Sequence, residues 1–348
     1  MNTLLEHRLK TSSITPGAYL PATLGHEFFS NNERIEWITK YGSHCMSFST
    51  MQPDMCFFDV PEVGFIAYQD CLGERVVLSN PICAPEDFAF IIEQFLGMSR
   101  KPVSFIQVTP DVAQLLSSKF SMYCTEFGQE TVIYLKDWTL KGKKKQIFRT
   151  ALNQAKKLDI AIMETFTNHN DDRISDTWLN TRRCKQKEIR FLIRPKDINH
   201  SQGVRRFYGF KDMQPVGFVH FDPIYRNNQI IGYVPNISRA NQLFKQGLFY
   251  AIMAVALEQF QSEGIELVNL GLSPLSIQNN PQPRIVSSRP LEKMFKLTAR
   301  FGQKYYNFDG IQFTKSRFRG EEQPTYVASH KVIPLKAFAA CFKLSQVI

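Results

Sequence analysis

The stretch from Ile230 to Ser276 restricts the fold more than any other part of the chain. It reads as an extended run (Gln229-Ile-Ile-Gly-Tyr-Val-Pro), a polar loop carrying Arg239, an apolar helix opened by Gly247, and a second extended run, Leu267-Val-Asn-Leu-Gly-Leu, ending in Ser273-Pro-Leu-Ser. From Leu248 to Leu257 the helix is apolar on nearly every face, with Phe249, Tyr250, Ile252, Met253, Val255 and Ala256, so it has to be buried between other elements. Strand, helix and strand in this order point to an α/β fold. The first N–H groups of a helix have no internal partners and its dipole is positive there, so the Gly247 end suits an anionic or carbonyl group. A core unit with no chemistry satisfies the same pattern.

At 348 residues the chain exceeds one ordinary core, and two domains, or one double-lobed domain, is the expectation. Hydrophobic residues at 43% and aromatics at 13% supply packed interiors, which excludes a disordered chain. The formal net charge of +10 points to a polyanionic partner, nucleic acid or an anionic membrane face, although a merely basic protein also fits. Seven cysteines stand at 45, 56, 71, 83, 124, 184 and 341 with no C-x-x-C pair, the usage expected of reduced thiols in a cytosolic protein. The opening Met1-Asn-Thr-Leu-Leu-Glu-His-Arg has no secretory apolar region. The run from Leu248 to Leu257 falls far short of the about 20 residues a membrane span needs. The expectation is a cytoplasmic protein that works, at most, peripherally at the inner face of the membrane.

Residues up to about Asn32, with Pro16, Gly17 and Pro21, read as a lead-in, and Ile35 to Tyr41 as a short helix. Met46-Ser-Phe-Ser-Thr alternates, and Gly64-Phe-Ile-Ala-Tyr-Gln and Arg75-Val-Val-Leu-Ser follow as strands around the turn Asp70-Cys-Leu-Gly. A helix is expected over Phe88 to Leu96, a strand over Val103-Ser-Phe-Ile-Gln-Val, a helix opened by Pro110, and a strand at Thr131-Val-Ile-Tyr-Leu. A similar order then recurs: a helix from Ile147 to Leu158, a strand at Ala161-Ile-Met-Glu and a helix from Ile174 to Lys185. Strands follow at Arg190-Phe-Leu-Ile, Arg206-Phe-Tyr-Gly-Phe and Val216-Gly-Phe-Val-His-Phe. Element order alone thus suggests a duplicated architecture, each unit a mixed sheet with helices on both faces. The boundary is expected between Asp137 and Gly142, giving lobes of 1–138 and 139–348.

Basic residues gather in three groups in the second half. Lys141-Gly-Lys-Lys-Lys with Arg149, Lys156 and Lys157 is one, and Arg182, Arg183, Lys185, Lys187 and Arg190 another. Arg300, Lys304, Lys315, Arg317 and Arg319 form the third, interleaved with Phe301, Tyr305, Tyr306, Phe308, Phe313 and Phe318. Lys and Arg beside aromatics is the composition expected where phosphates are held and a base or acyl chain is stacked. No H-E-x-x-H or Cys/His zinc spacing occurs, so no metal is expected, and no G-x-S-x-G, Walker or G-x-G-x-x-G motif is present. The seven histidines are isolated in sequence, and His220, on an alternating strand, reads as a satisfied core histidine.

Asn269-Leu-Gly-Leu-Ser-Pro-Leu-Ser resembles the LGxAPLS segment of the C-terminal catalytic domain of phosphatidylglycerol lysyltransferases. Four further pieces agree in order. Gly64-Phe-Ile-Ala-Tyr with Leu78-Ser-Asn-Pro resembles the family's first-lobe strand pair, and Lys141-Gly-Lys-Lys-Lys-Gln-Ile-Phe-Arg its basic helix start. Ile174-Ser-Asp-Thr-Trp-Leu resembles iSdeWL, and Phe308-Asp-Gly-Ile-Gln-Phe-Thr-Lys-Ser-Arg-Phe resembles F.GL..YK.KF. The resemblance covers nearly the whole chain. It implies two fused GNAT-like (acetyltransferase-like) α/β lobes, with an aminoacyl-tRNA as donor and phosphatidylglycerol, or a related anionic lipid at the membrane surface, as acceptor. No cofactor is implied: the segment Arg239-Ala-Asn-Gln-Leu-Phe-Lys-Gln-Gly247 has one glycine where acyl-CoA enzymes use a glycine-rich pyrophosphate turn.

The resemblance also implies the site. Arg239 and Arg317, with Lys315, hold phosphates of the tRNA 3′ end or of the acceptor headgroup, and Asn236 orients the donor's amino group. Gly247 and Gly271 offer backbone N–H groups to the tetrahedral oxygen, Ser273 shapes the turn beside them, and Lys143, Lys144 and Arg149 line the basic approach. The family's D-L-M-R is Asn236-Ile-Ser-Arg239 here, so an amide stands in place of a carboxylate. Direct transfer without a covalent enzyme intermediate is expected, because the ester donor is already activated and needs positioning and oxyanion stabilisation. A catalytically silent tRNA- or lipid-binding relative, and an acyltransferase with another donor, are the alternatives.

Overall fold

The computed structural model describes residues 28–169, 171–180, 188–196, 201–241, 247–277, 284–301 and 308–346. The lead-in before residue 28, the basic positions Arg182, Arg183, Lys185, Lys187 and Lys304, and Tyr305 and Tyr306 lie outside the described residues.

The first half runs through helix α1 (Asn31–Tyr41), strands β1 (Cys56–Val60), β2 (Gly64–Cys71), β3 (Glu74–Leu78) and β4 (Ile82–Cys83), helix α2 (Phe88–Met98), β5 (Val103–Val108), α3 (Pro110–Phe120) and β6 (Tyr123–Tyr134). The second continues with α4 (Gln146–Lys157), β7 (Ala161–Thr165), α5 (Asp171–Leu179), β8 (Arg205–Lys211), β9 (Gln214–Arg226), β10 (Gln229–Ala240), α6 (Gly247–Ser262) and β11 (Leu267–Pro274). Helices α7 (Arg289–Phe301) and α8 (Phe308–Ser316), strand β12 (Glu321–Ser329) and helix α9 (Leu335–Leu344) complete it. Ser30 caps α1 through a capping box with Glu33, and Pro110 opens α3 where its missing N–H costs nothing.

One 12-stranded mixed sheet joins the two halves in the order β1-β2-β3-β5-β12-β6-β11-β10-β9-β8-β7, with β4 on β2. Exchanging β1 for β8, β2 for β9, β3 for β10, β5 for β11 and β6 for β12 leaves this order unchanged apart from the added β7. The pairing senses follow the same exchange. β3–β5 and β10–β11 are parallel, whereas β5–β12, β12–β6 and β6–β11 are antiparallel. The duplication expected from element order is therefore present in the topology. Each half also lends its closing strand to the other: β12, from beyond residue 139, lies between β5 and β6.

Both faces of the sheet are covered. On β2, Phe65 and Ala67 face a core closed by α1, α7 and α9, while Ile66 and Tyr68 face one closed by α2 and α3. Strands buried on both sides read as continuous apolar runs. Helix α6 is buried as its all-round apolar sequence requires, with Ala251, Met253, Ala254, Ala256 and Leu257 fully enclosed between α4 and the sheet. Truncating Met253 to Ala there is expected to cost roughly 2–5 kcal/mol.

Three local expectations are corrected. Met46 to Thr50 is no strand but runs into a 3-10 turn over Phe48–Met51. Its serines are as buried as its apolar residues, so the alternation in type was never one in exposure. Arg190 to Ile193 bends, because the Gln52 amide takes the place of a neighbouring strand, accepting from Phe191 N–H at 2.8 Å and donating to its carbonyl at 2.9 Å. Arg239 lies on β10, paired with Phe218, not in a loop. The helix expected from Ile174 is α5, Asp171–Leu179, and its continuation towards Lys185 lies outside the described residues.

Candidate functional site: the parting of the second parallel strand pair

β10 and β11 pair only through Gly232↔Leu267 and Tyr233↔Val268. Beyond that point β10 follows β9 and β11 follows β6, so the two strands part ahead of α6. The parting is built into β11 by a bulge between Asn269 and Leu272. Gly271 takes φ +73°, a conformation natural to glycine, and its N–H donates to Asn269 Oδ1 at 2.8 Å. The bulge turns the carbonyls of Gly271 and Leu272 towards Lys315 of α8, whose ammonium donates to them at 2.8 and 2.7 Å. Desolvation pushes the Lys315 pKa down to about 8.

Beneath Lys315 lies a buried polar group that includes Glu130 of β6. Gln107 Nε2 donates to its Oε1 at 3.0 Å, Asn269 Nδ2 to its Oε2 at 2.9 Å, and His44 Nε2 stands 3.2 Å from Oε1. Burial alone raises a carboxyl pKa, but His44 and the two amides outweigh it and bring Glu130 down to about 2. Ser79 Oγ meets His44 Nδ1 at 2.7 Å. Burial, and then Glu130, push the Cys45 thiol well up, so Cys45 stays protonated. His44, Cys45 and Glu130 bring donor atoms within 4.8 Å of one another, the one such set among the described residues. The Lys315 ammonium, whose charge is felt by both Cys45 and Glu130, already supplies positive charge there.

On the β10 side Asn236 donates to Asp222 Oδ2 at 2.6 Å and to Ser49 Oγ at 3.1 Å. Asp222 is itself held by a buried two-pronged contact from Arg194. Arg239 is only 8% exposed. Its Cζ lies 3.8 Å over the Trp178 ring, Nη1 donates to the Ser238 carbonyl at 3.1 Å, and Nη2 meets Glu188 at 3.3 Å. A hollow of about 140 Å³ is bounded by Arg173, Thr177, Gln214 and Asn241, the last of these two residues beyond Arg239. His220 is buried, its Nε2 3.1 Å from the Tyr208 hydroxyl; burial, with Arg194 and Arg206 nearby, pushes its pKa down to about 2, so it is neutral.

The structure thus brings together Lys315 of α8, Gly271 of β11 and Glu130 of β6, with Asn236 and Arg239 on β10. Ser273 is buried on β11 with no hydrogen-bond partner for its hydroxyl among the described residues. Arg317 lies 4.8 Å over Phe313. Gly247 opens α6 beside the flexible end of the exposed Gln154 side chain, whose Oε1 lies 2.9 Å from where a Cβ would sit. Lys143 and Lys144 are exposed ahead of α4, and Arg149 staples that turn through the carbonyls of Leu140 and Gly142. His44, Gln107, Glu130, Arg194 and Asp222 were missed from the sequence. Gln107 and Glu130 are 23 residues apart and Asn269 and Glu130 are 139 apart, so no local motif announces them.

The sequence profile described as "Phosphatidylglycerol lysyltransferase, C-terminal" matches residues 36–329. The chain belongs to this family. The phosphatidylglycerol lysyltransferase of Staphylococcus epidermidis is 25% identical over 308 residues, covering 84% of this chain and 35% of that protein. The chain therefore spans about a third of the length of the curated relatives it matches. Among solved structures, L-PGS from Bacillus licheniformis superposes with a TM-score of 0.74 at 18% identity, covering 91% of this chain and 97% of that one. The C-terminal domain of a putative lysylphosphatidylglycerol synthetase from Agrobacterium fabrum gives 0.73 at 19%, covering 92% and 99%. These likenesses establish the mixed α/β fold that the family membership implies. No described helix is long and apolar enough to cross a membrane.

Proposed function

We propose that the chain is an aminoacyltransferase that moves an amino acid from an aminoacyl-tRNA onto a hydroxyl of phosphatidylglycerol or a related anionic lipid. The observation that carries this reading is the family match across residues 36–329, which takes in both walls of the strand parting. In the reaction the lipid hydroxyl oxygen bonds to the ester carbonyl carbon, the bond from that carbon to the ribose oxygen breaks, and the proton passes from the hydroxyl to the ribose. Lys315 has two of its three N–H groups on backbone carbonyls, leaving one for a substrate oxygen. That third N–H stabilises the developing oxyanion; the Gly271 N–H expected from the sequence to share this role is already donated to Asn269 Oδ1, so Gly271 contributes its carbonyl, which holds Lys315. Asn236 and the Asp222 carboxylate behind it receive the donor's amino group, and Arg239 takes a tRNA phosphate in place of Glu188. Arg317 and Ser273 border this space, and Lys143, Lys144 and Arg149 lie on the basic approach. Residues 139–348 supply most of the walls and residues 1–138 the floor.

The second reading, a silent binding relative, is favoured by Asn236 in the family's carboxylate position and by the ion pair between Arg239 and Glu188. Incubation with labelled aminoacyl-tRNAs and phosphatidylglycerol separates the two. A labelled lipid that disappears in Arg239→Ala and Lys315→Met supports transfer, and tRNA retention without any lipid product establishes the silent module.

A further inference from the structure

Helices α7 and α9 lie side by side over one face of the sheet. The Ser288 hydroxyl at the start of α7 donates to the Val332 carbonyl ahead of α9, and Phe295 and Phe338 meet with ring centroids 5.5 Å apart, so the two run in the same direction. Leu291 and Phe295 of α7, and Ala337, Phe338 and Cys341 of α9, point into the core. The opposite faces are open to solvent, and their composition is unlike that of an ordinary surface.

On α7 the exposed positions include Arg289, Lys293, Lys296 and Arg300. Steps of four, three and four residues align them in one stripe along the helix. Leu297, 56% exposed, stands beside it. On α9 Leu335 and Phe342, two turns apart on one side, are 61% and 44% exposed, flanked by the exposed Lys336 and Lys343. Val332 and Ile333, also exposed, extend the apolar area at the head of the helix. Carboxylates are nearly absent: Glu292 is the only one from Arg284 to Arg300, where it is half-buried and takes the Ser287 hydroxyl, and none occurs from Lys331 to Gln346.

We propose that the joint outer face of α7 and α9 is a docking surface for an anionic phospholipid bilayer. Cations in a row answer the negative headgroups of such a surface. The leucines, valine, isoleucine and phenylalanine among them enter the boundary between headgroups and acyl chains. Nucleic acid answers the cations equally well but leaves this apolar area without a partner, which is why lipid is favoured. The inference rests on the proposed function for the identity of the lipid, and it adds where on the molecule the acceptor's membrane is met.

The test is sedimentation with phosphatidylcholine vesicles, with and without phosphatidylglycerol, on the full chain. Two variants are compared, Leu335→Asp with Phe342→Asp, and Lys293→Glu with Lys296→Glu, each first shown to melt like the wild type. The wild type is expected to bind only the anionic vesicles, and each variant to bind them about tenfold or more weakly. Transfer to phosphatidylglycerol dispersed in detergent is expected to stay unchanged in both. Wild-type protein that ignores anionic vesicles, or variants that bind like wild type, overturn the proposal. So does a selective loss of aminoacyl-tRNA affinity, which assigns the face to RNA, or a wild-type dimer that the variants dissolve, which assigns it to a second copy. If deleting residues 1–27 creates vesicle binding that the wild type lacks, the face is covered by that segment and the proposal again fails. Vesicle binding by a protein that transfers nothing removes the enzymatic reading and leaves the surface standing.

Discussion

Gln107 and Asn269 occupy equivalent places in the two halves, and each donates to a different oxygen of Glu130, at 3.0 and 2.9 Å. Each is the residue after its half's parallel ladder ends, at Leu78↔Ile106 and Tyr233↔Val268. The carboxylate is thus clamped at the junction by one amide from either half. Its pKa of about 2 lies below the ordinary value of 4.5, so the stability it confers is complete above about pH 4.5 and is lost as pH falls towards 2. The loss is on the order of 3 kcal/mol. Glu130→Gln is expected to remove this component, so that urea midpoints measured from pH 5 to pH 2 decline less steeply than in the wild type. Parallel slopes count against the clamp.

Lys315 gives a second pH signature, of opposite sense. Desolvation has lowered its pKa to about 8, so the ammonium is present below that pH and disappears as pH rises through it. Transfer, corrected for spontaneous hydrolysis of the donor, is expected to fall with an inflection near pH 8. Lys315→Arg retains the charge and is expected to lose the inflection. Lys315→Met is expected to lose roughly 100-fold or more, the scale of removing one oxyanion donor. A pH–rate profile flat to pH 9 in the wild type excludes this role.

The bond between Asn236 and Asp222 bears on the departure from the family pattern. Asn236 Nδ2 lies 2.6 Å from the Asp222 carboxylate, so restoring the family's acid by Asn236→Asp sets two carboxylates against each other beside one guanidinium, that of Arg194. The substitution is expected to destabilise the fold by about 1–3 kcal/mol, and the double change Asn236→Asp with Asp222→Asn is expected to recover most of it. Denaturant midpoints of the three variants check this. An Asn236→Asp protein as stable as the wild type shows that the pair is not coupled.

What the sequence disclosed follows from the range of the interactions involved. The all-round apolar run at Leu248 to Leu257 announced α6, and Pro110 announced the start of α3, because both are settled within a few residues. The duplicated order could be read from element types, yet the exchange of β6 and β12 could not, since β12 pairs with β5 and β6 across about 190 to 220 residues and no local pattern records such a pairing. Glu130 carries no signal of its own in the sequence; its partners His44, Gln107 and Asn269 are brought to it only by the tertiary fold. Phe191 reads as a strand residue and bends because Gln52, 139 residues earlier, satisfies its backbone. The resemblance located Arg239 and Lys315, but what each is paired with is a property of the fold.

Arg239 and Trp178 offer a direct optical test of donor binding. The guanidinium lies 3.8 Å over the indole, a contact that contributes about 0.5–2 kcal/mol, and a phosphate competing with Glu188 has to draw the guanidinium along that ring. Trp178 emission, assigned among the three tryptophans by its loss in Trp178→Phe, is expected to shift on addition of a short RNA bearing the tRNA 3′ end. In Arg239→Lys, where a compact ammonium replaces the planar fork that stacks on the ring, the shift is expected to vanish and RNA affinity to fall about tenfold or more. Emission that shifts equally in both proteins places the RNA end elsewhere and reduces Arg239 to a strut between β10 and α5.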